Sequence, residues 1–210
     1  MERVQTIAII ATDGMQRSAL IGPRSALEAA GMTCVVVSET EGAIETFSHL
    51  DRAESIPVDA ALPDARADAF DGLLLPDGVA DPDTVRGNSA VVDFVRQFVD
   101  ASKPVAAMGH ASRLVIAAGG VAGRSLTSEP ALRTELEHAG ARWVDRPVVR
   151  DGQLVTSRGP DDHEAFAAAA ISLFTSSVTP DDDRALDAQL DESFPASDAP
   201  SIAGGPATAV

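Results

Sequence analysis

Lys103-Pro-Val-Ala-Ala-Met-Gly-His-Ala-Ser-Arg-Leu-Val-Ile116 reads as a buried strand, a tight turn and the start of a helix, with Gly109-His110 at the corner. The apolar run before the corner is short enough for a strand covered on both faces, and the pattern after it continues at helical spacing. α/β proteins set their reactive groups on such corners, at the carboxyl edge of a sheet. This corner has the shape of a nucleophile site, but Gly109 offers no side chain to react.

Outward from this corner, the chain alternates strands and helices. Val4 to Ala11 is a β-branched apolar run, and Ser18 to Ala30 has helical spacing that stops at Gly31. Pro23 inside that stretch is expected to kink the helix or mark its true start. Cys34 to Val37 reads as the second strand, and Glu41 to Pro63 as loop or short antiparallel strands with a small hairpin near Ile56-Pro-Val58. Phe70 to Leu75 is a buried strand ended by Pro76-Asp77-Gly78. Ser89 to Ala101 is an amphipathic helix, and the helix after the corner runs to Ala118. Glu129 to Ala139 is a further helix. Val148 to Val155 is a hairpin through Asp151-Gly152, and Asp161 to Phe174 is a final helix with acids at its positive end. This alternation predicts a three-layer α/β domain with a mostly parallel sheet over residues 1–176.

Residues 177–210 have a different character. Seven acids stand there against Arg184 alone, among Pro, Gly, Ser and Ala. The segment reads as an acidic, flexible extension with one short helix, Asp182 to Leu190. Removing it is expected to leave the melting temperature of the domain nearly unchanged.

The bulk composition excludes several functions. A net charge of −16 argues against a nucleic-acid partner, since phosphate binding needs clustered Lys and Arg and this chain has a single lysine, Lys103. No apolar run is long enough to span a bilayer, and the N-terminus has no signal-peptide layout, so no membrane association and a cytoplasmic location are expected. One cysteine, Cys34, excludes an intrachain disulfide, and its apolar strand context marks it as an inert buried thiol. No Cys/His spacing suggests a metal site, and Gly119-Gly120 follows a helix rather than a strand, so it fails as a dinucleotide loop. No cofactor is expected.

Four stretches together resemble the ThiJ/PfpI family of the class I glutamine amidotransferase-like superfamily: Ile7 to Gly14, Asp71 to Ala80, Lys103 to His110, and Ala139 to Asp145 with Val148 to Gly152. The resemblance spans about residues 1–175. It implies a flavodoxin-like α/β/α sandwich and a homodimer or larger homo-oligomer. It implies a site made of an elbow Cys, the His after it, a Glu near the end of the first strand, and a Leu-Pro-Gly-Gly turn whose backbone N–H groups bind an oxyanion. Such proteins are peptidases, glyoxalases or deglycases, and stress proteins.

Carried over residue by residue, the site departs from that pattern. The elbow Cys is Gly109 and the acid is Gln16, while His110 remains. The turn is Leu75-Pro76-Asp77-Gly78, and Ala111-Ser112 replace Gly-Pro. Glycine adopts a strained elbow conformation freely, and Gln fills the volume of Glu with no charge to bury. Asp77 is expected to oppose charge development at the oxyanion site. The expected vestigial pocket is therefore Gln16, Asp77, Gly78, Gly109 and His110. Two readings follow. One is a catalytically degenerate stress-related or binding module with a small-molecule or peptide ligand. The other is a hydrolase or lyase, peptidase-, glyoxalase- or deglycase-like, that uses His110 and a water. For the second, His110 lacks an orienting carboxylate unless Asp77 supplies it. Ser112 reads as a capping or packing residue, and His49, His138 and His163 as surface residues.

Overall fold

Residues 4–39, 41–48, 51–78 and 89–176 are described by a computed structural model of the chain. Seven strands form the central sheet: β1 (Thr6–Ile10), β2 (Thr33–Ser38), β3 (Ala60–Ala61), β4 (Gly72–Leu75), β5 (Val105–Met108), β6 (Val148–Asp151) and β7 (Leu154–Ser157). Their spatial order is β6-β7-β5-β4-β1-β2-β3. Every neighbouring pair is parallel except β6–β7, the hairpin expected through Asp151-Gly152.

The strands are apolar on both faces because helices cover both. Ala8, Ile10, Leu73, Leu75, Val105 and Ala107 face one core, under α2 (Ser89–Asp100), α3 (Ser112–Ala117) and α4 (Arg133–His138). Ile7, Ile9, Leu74, Ala106 and Met108 face the other, under α1 (Arg17–Ala29) and α5 (His163–Thr175). The fold is therefore the three-layer, flavodoxin-like sandwich. Gly72 lets the second core close: a Cβ there would lie 2.6 Å from two ring carbons of Phe174 on α5.

Several local expectations need correction. Pro23 neither starts nor ends α1 but lies buried inside it. One amide donor is lost there, yet packing of the buried face holds the helix together across it. The region from Glu41 to Pro63 forms the short antiparallel strands that were one of its two expected forms, Ala43–Ile44 with Ile56–Pro57 and Thr46–Ser48 with Asp51–Arg52; what was not expected is that β3 joins the main sheet in parallel. The helix expected from Glu129 begins as a 3-10 turn, Pro130–Leu132, with Pro130 in the first turn, where its missing amide costs no helical hydrogen bond. A parallel pair, Ser125–Leu126 with Arg142–Trp143, was not expected; two-residue strands leave no periodic signal. The acidic extension, including Asp182 to Leu190, and His49 lie outside the described residues. Among the described residues no helix is long and apolar enough to cross a membrane.

Strand order fixes where a site can form. From β1 the chain moves outward one way to β2 and β3, then returns to β4 on the other side of β1 and continues to β5 and β7. The β1/β4 junction is thus a topological switch point, where the loops leaving the carboxyl ends diverge and open a crevice.

Candidate functional site

A cleft of about 510 Å³, counting its open mouth, occupies that crevice. Ile10 and Thr12 line it from the end of β1, Leu75 to Gly78 from the end of β4, and His110, Ala111, Arg113 and Leu114 from the corner after β5. Met15 adds apolar wall. Arg113 is tethered, its Nε donating to Glu135 Oε2 at 3.0 Å.

The corner has the backbone of an elbow. Gly109 sits at φ 54, in the left-handed region that other residues enter only with strain. It opens a short 3-10 turn, Gly109–Ala111, that runs into α3. A side chain on Gly109 would have nowhere to go. Its Cβ would overlap Asp77 Oδ2, and would lie 2.8 Å from Asp77 Cγ and 3.3 Å from the Arg158 carbonyl oxygen. The carboxyl group of Asp77 therefore fills the volume that an elbow side chain would use.

Asp77 is 6% exposed, and its two oxygens have different surroundings. Oδ1 accepts from the Gly78 amide at 2.9 Å and, over a longer 3.3 Å, from the His110 amide. His110 Nδ1 lies 3.4 Å from the same oxygen. Oδ2, the atom over Gly109, has no hydrogen-bond partner among the described residues. Burial pushes the Asp77 carboxyl above its ordinary pKa; the Gly78 amide and His110 pull it back in part. With Nδ1 turned to the carboxyl group, Nε2 is the His110 nitrogen left for a ligand in the cleft, and an Nδ1–H donated to Asp77 leaves Nε2 as a base.

The expected pocket is thus partly assembled. Asp77, Gly78 and His110 line the cleft, and Gly109 lies beneath Asp77. Gln16 is not in the cleft wall; it stands on extended backbone at the N-terminal boundary of α1, where its side chain makes no capping hydrogen bond, while Met15 beside it turns into the core. The expectation for Asp77 also changes. It does more than place a charge near the oxyanion donors: its own carboxyl group accepts hydrogen bonds from the Gly78 and His110 amides. Ser112 is 1% exposed, and its Oγ has no partner among the described residues, so it neither caps the helix nor reaches the cleft as a nucleophile. His138 and His163 are on the surface, His163 Nδ1 lying 3.0 Å from the Pro160 carbonyl oxygen. Among the described residues no group of three His, Cys, Asp or Glu is placed to hold a metal ion. Sequence reasoning did not anticipate the apolar wall from Ile10, Leu75 and Leu114; these read as core residues, and only strand order puts them at a crevice.

The architecture, the elbow at Gly109 and the crevice at the switch point agree with a single family. The DJ-1/PfpI family model matches residues 5–173. The chain belongs to that family. Among curated DJ-1/PfpI-like relatives, Protein/nucleic acid deglycase 2 of Escherichia coli (strain K12) is 36% identical over 168 residues, covering 80% of this chain and 96% of the relative. General stress protein 18 of Bacillus subtilis (strain 168) is 35% identical over 168 residues, with 80% and 96% covered. Among solved structures, Drosophila melanogaster DJ-1beta superposes with a TM-score of 0.72 at 26% identity, covering 91% of this chain and 97% of that one.

Proposed function

We propose that this DJ-1/PfpI member is a hydrolase or lyase for small carbonyl compounds and their adducts, working through His110 and a water instead of a thiol. The carrying observation is the Asp77–His110 contact in the wall of the open cleft. Asp77 Oδ1 faces Nδ1 of the imidazole, so that Nε2 takes a proton from a water adding to the carbonyl carbon and returns it to the former carbonyl oxygen, or to the departing nitrogen of an adduct. A deglycase name on a relative with 36% identity supports the substrate class. The amides of Gly78 and His110 are engaged by Asp77, so acyl transfer through an oxyanion site is not part of this reading.

The test is dicarbonyl hydration by the purified protein, beside His110→Ala. Activity in the parent that falls about 10²–10⁴-fold in the variant is the expected result; an inactive parent, or an active variant, overturns it. Peptide hydrolysis is expected to be absent from both.

One observation favours a second reading, a catalytically degenerate binding or stress-related module: the space above the elbow is closed by the chain's own Asp77. On that reading the parent is inactive toward dicarbonyls and the cleft only binds a small molecule or peptide. In either reading the protein works as a homodimer or larger homo-oligomer in the cytoplasm, with light scattering as the check on assembly.

A further inference from the structure

Asp77 presents an arrangement that the carbonyl reading does not use. One carboxylate oxygen is anchored and the other is presented. Oδ1 is held by the Gly78 and His110 amides at 2.9 and 3.3 Å. Oδ2 is unbonded among the described residues and occupies the place where an elbow side chain would carry its reactive atom. A carboxylate in such a position is a nucleophile toward saturated carbon bearing a leaving group, forming an ester that must then be cleaved. The ester's carbonyl oxygen would be Oδ1. The negative charge of the tetrahedral intermediate would then develop on an atom that already faces two backbone N–H groups, which is what oxyanion stabilisation requires. His110 stands beside it with Nε2 available to activate the water. Most of the remaining wall is apolar, from Ile10, Met15, Leu75, Pro76, Ala111 and Leu114, with Thr12 and the Glu135-tethered Arg113 as its polar members.

We propose that the cleft hydrolyses small apolar epoxides through a covalent ester on Asp77. An epoxide uses every part of the site. Asp77 Oδ2 attacks a ring carbon, forming a C–O bond as the ring C–O bond breaks, and the ring oxygen takes a proton from His110 in its protonated form. Neutral His110 then removes a proton from water, whose oxygen attacks Asp77 Cγ. Collapse of the tetrahedral intermediate breaks the Cγ–O bond to the diol. The diol oxygen takes the proton of the new carboxyl group, and Asp77 is again a carboxylate with His110 protonated. The sum is epoxide plus water giving a vicinal diol, with no other reactant. This activity stands apart from the carbonyl reading, in which Asp77 makes no covalent bond, so either can fail without the other.

The experiment uses styrene oxide with the full-length protein and reads the peptide containing Asp77 by mass spectrometry. In His110→Gln the first step is retained in part and water activation is lost, so the ester accumulates on Asp77. Asp77→Asn shows no adduct. The parent, in water labelled with heavy oxygen and held to a single turnover, places the label in Asp77 and not in the first diol released. If His110→Gln fails to fold, judged by its melting curve, the acid-quenched parent is read for the same ester. No adduct at Asp77 in the folded variant or the quenched parent overturns the proposal. So does label passing directly into the first diol, or an adduct that persists in Asp77→Asn.

Discussion

The carboxyl group of Asp77 fills the space into which a side chain on Gly109 would project. A Cβ at position 109 would overlap Oδ2 and stand 2.8 Å from Cγ, on a backbone at φ 54. Gly109→Cys therefore carries two penalties: left-handed strain of roughly 1–2 kcal/mol, and overlap with Asp77. Only the second depends on Asp77. The expected outcome is a lowered melting temperature for Gly109→Cys that Asp77→Gly partly restores, with a coupling between the two changes of about 0.5–3 kcal/mol in denaturant unfolding. Strictly additive costs would show that the two positions do not compete for the same volume.

Asp77 also predicts a sign for the pH dependence of stability. Burial raises its folded pKa above the unfolded value, so the folded state holds more protons across the interval between them. Stability contributed by this group is present in full below the unfolded pKa and lost as pH rises through the folded one. At neutral pH the charged carboxylate is a cost. Asp77→Asn keeps an oxygen for the Gly78 and His110 amides and removes the charge. It is expected to be at least as stable as the parent at neutral pH, with its relative advantage shrinking on acidification. A variant that loses more stability at pH 7 than at about pH 4 would contradict this.

The fold was legible because its signals are long or strongly patterned. The β-branched run at Ile7 to Ile10, the apolar run at Leu73 to Leu75 and the helical stripe of α2 each persist over several residues, and their alternation allows few topologies. Gly109 was legible as an elbow because the flanking strand and helix are unambiguous. The role of Asp77 was not. Thirty-two positions separate it from Gly109, and nothing local says that a turn after β4 folds its carboxyl group over a turn after β5. Gln16 was hard to place for the converse reason: Met15–Gln16 is a two-residue strand paired in parallel with Thr46–Phe47, adjacent side chains in a strand point opposite ways, and register puts Met15 rather than Gln16 in the cleft wall.

Cys34 separates this chain from a thiol mechanism. It lies buried on β2, its Sγ 3.9 Å from the Arg24 carbonyl oxygen, and burial pushes its pKa up to about 11. The thiolate is the reactive species, so at neutral pH the native protein is expected to react with a disulfide reagent far more slowly than the unfolded chain. Cys34→Ala is expected to leave dicarbonyl activity at the parent level while costing about 1 kcal/mol or more in stability from lost packing. A fast native reaction, or activity that disappears with Cys34, would return the chemistry to a thiol.

Gly72 and Phe174 set a last quantitative test, on the far side of the sheet from α2. The Phe174 ring of α5 lies directly on the backbone of β4, where a Cβ on Gly72 would come within 2.6 Å of two ring carbons. Gly72 is central in the sheet, between β1 and β5, and Phe174 is buried, so neither can yield without disturbing the second core. Gly72→Ala is an overpacking change, expected to cost about 1–3 kcal/mol in denaturant unfolding. Phe174→Leu alone creates a void and also destabilises. Combined, the smaller side chain accepts the new methyl group, so the double variant should be more stable than the sum of the single losses. If Gly72→Ala is neutral by itself, α5 does not rest on β4 as tightly as this contact requires.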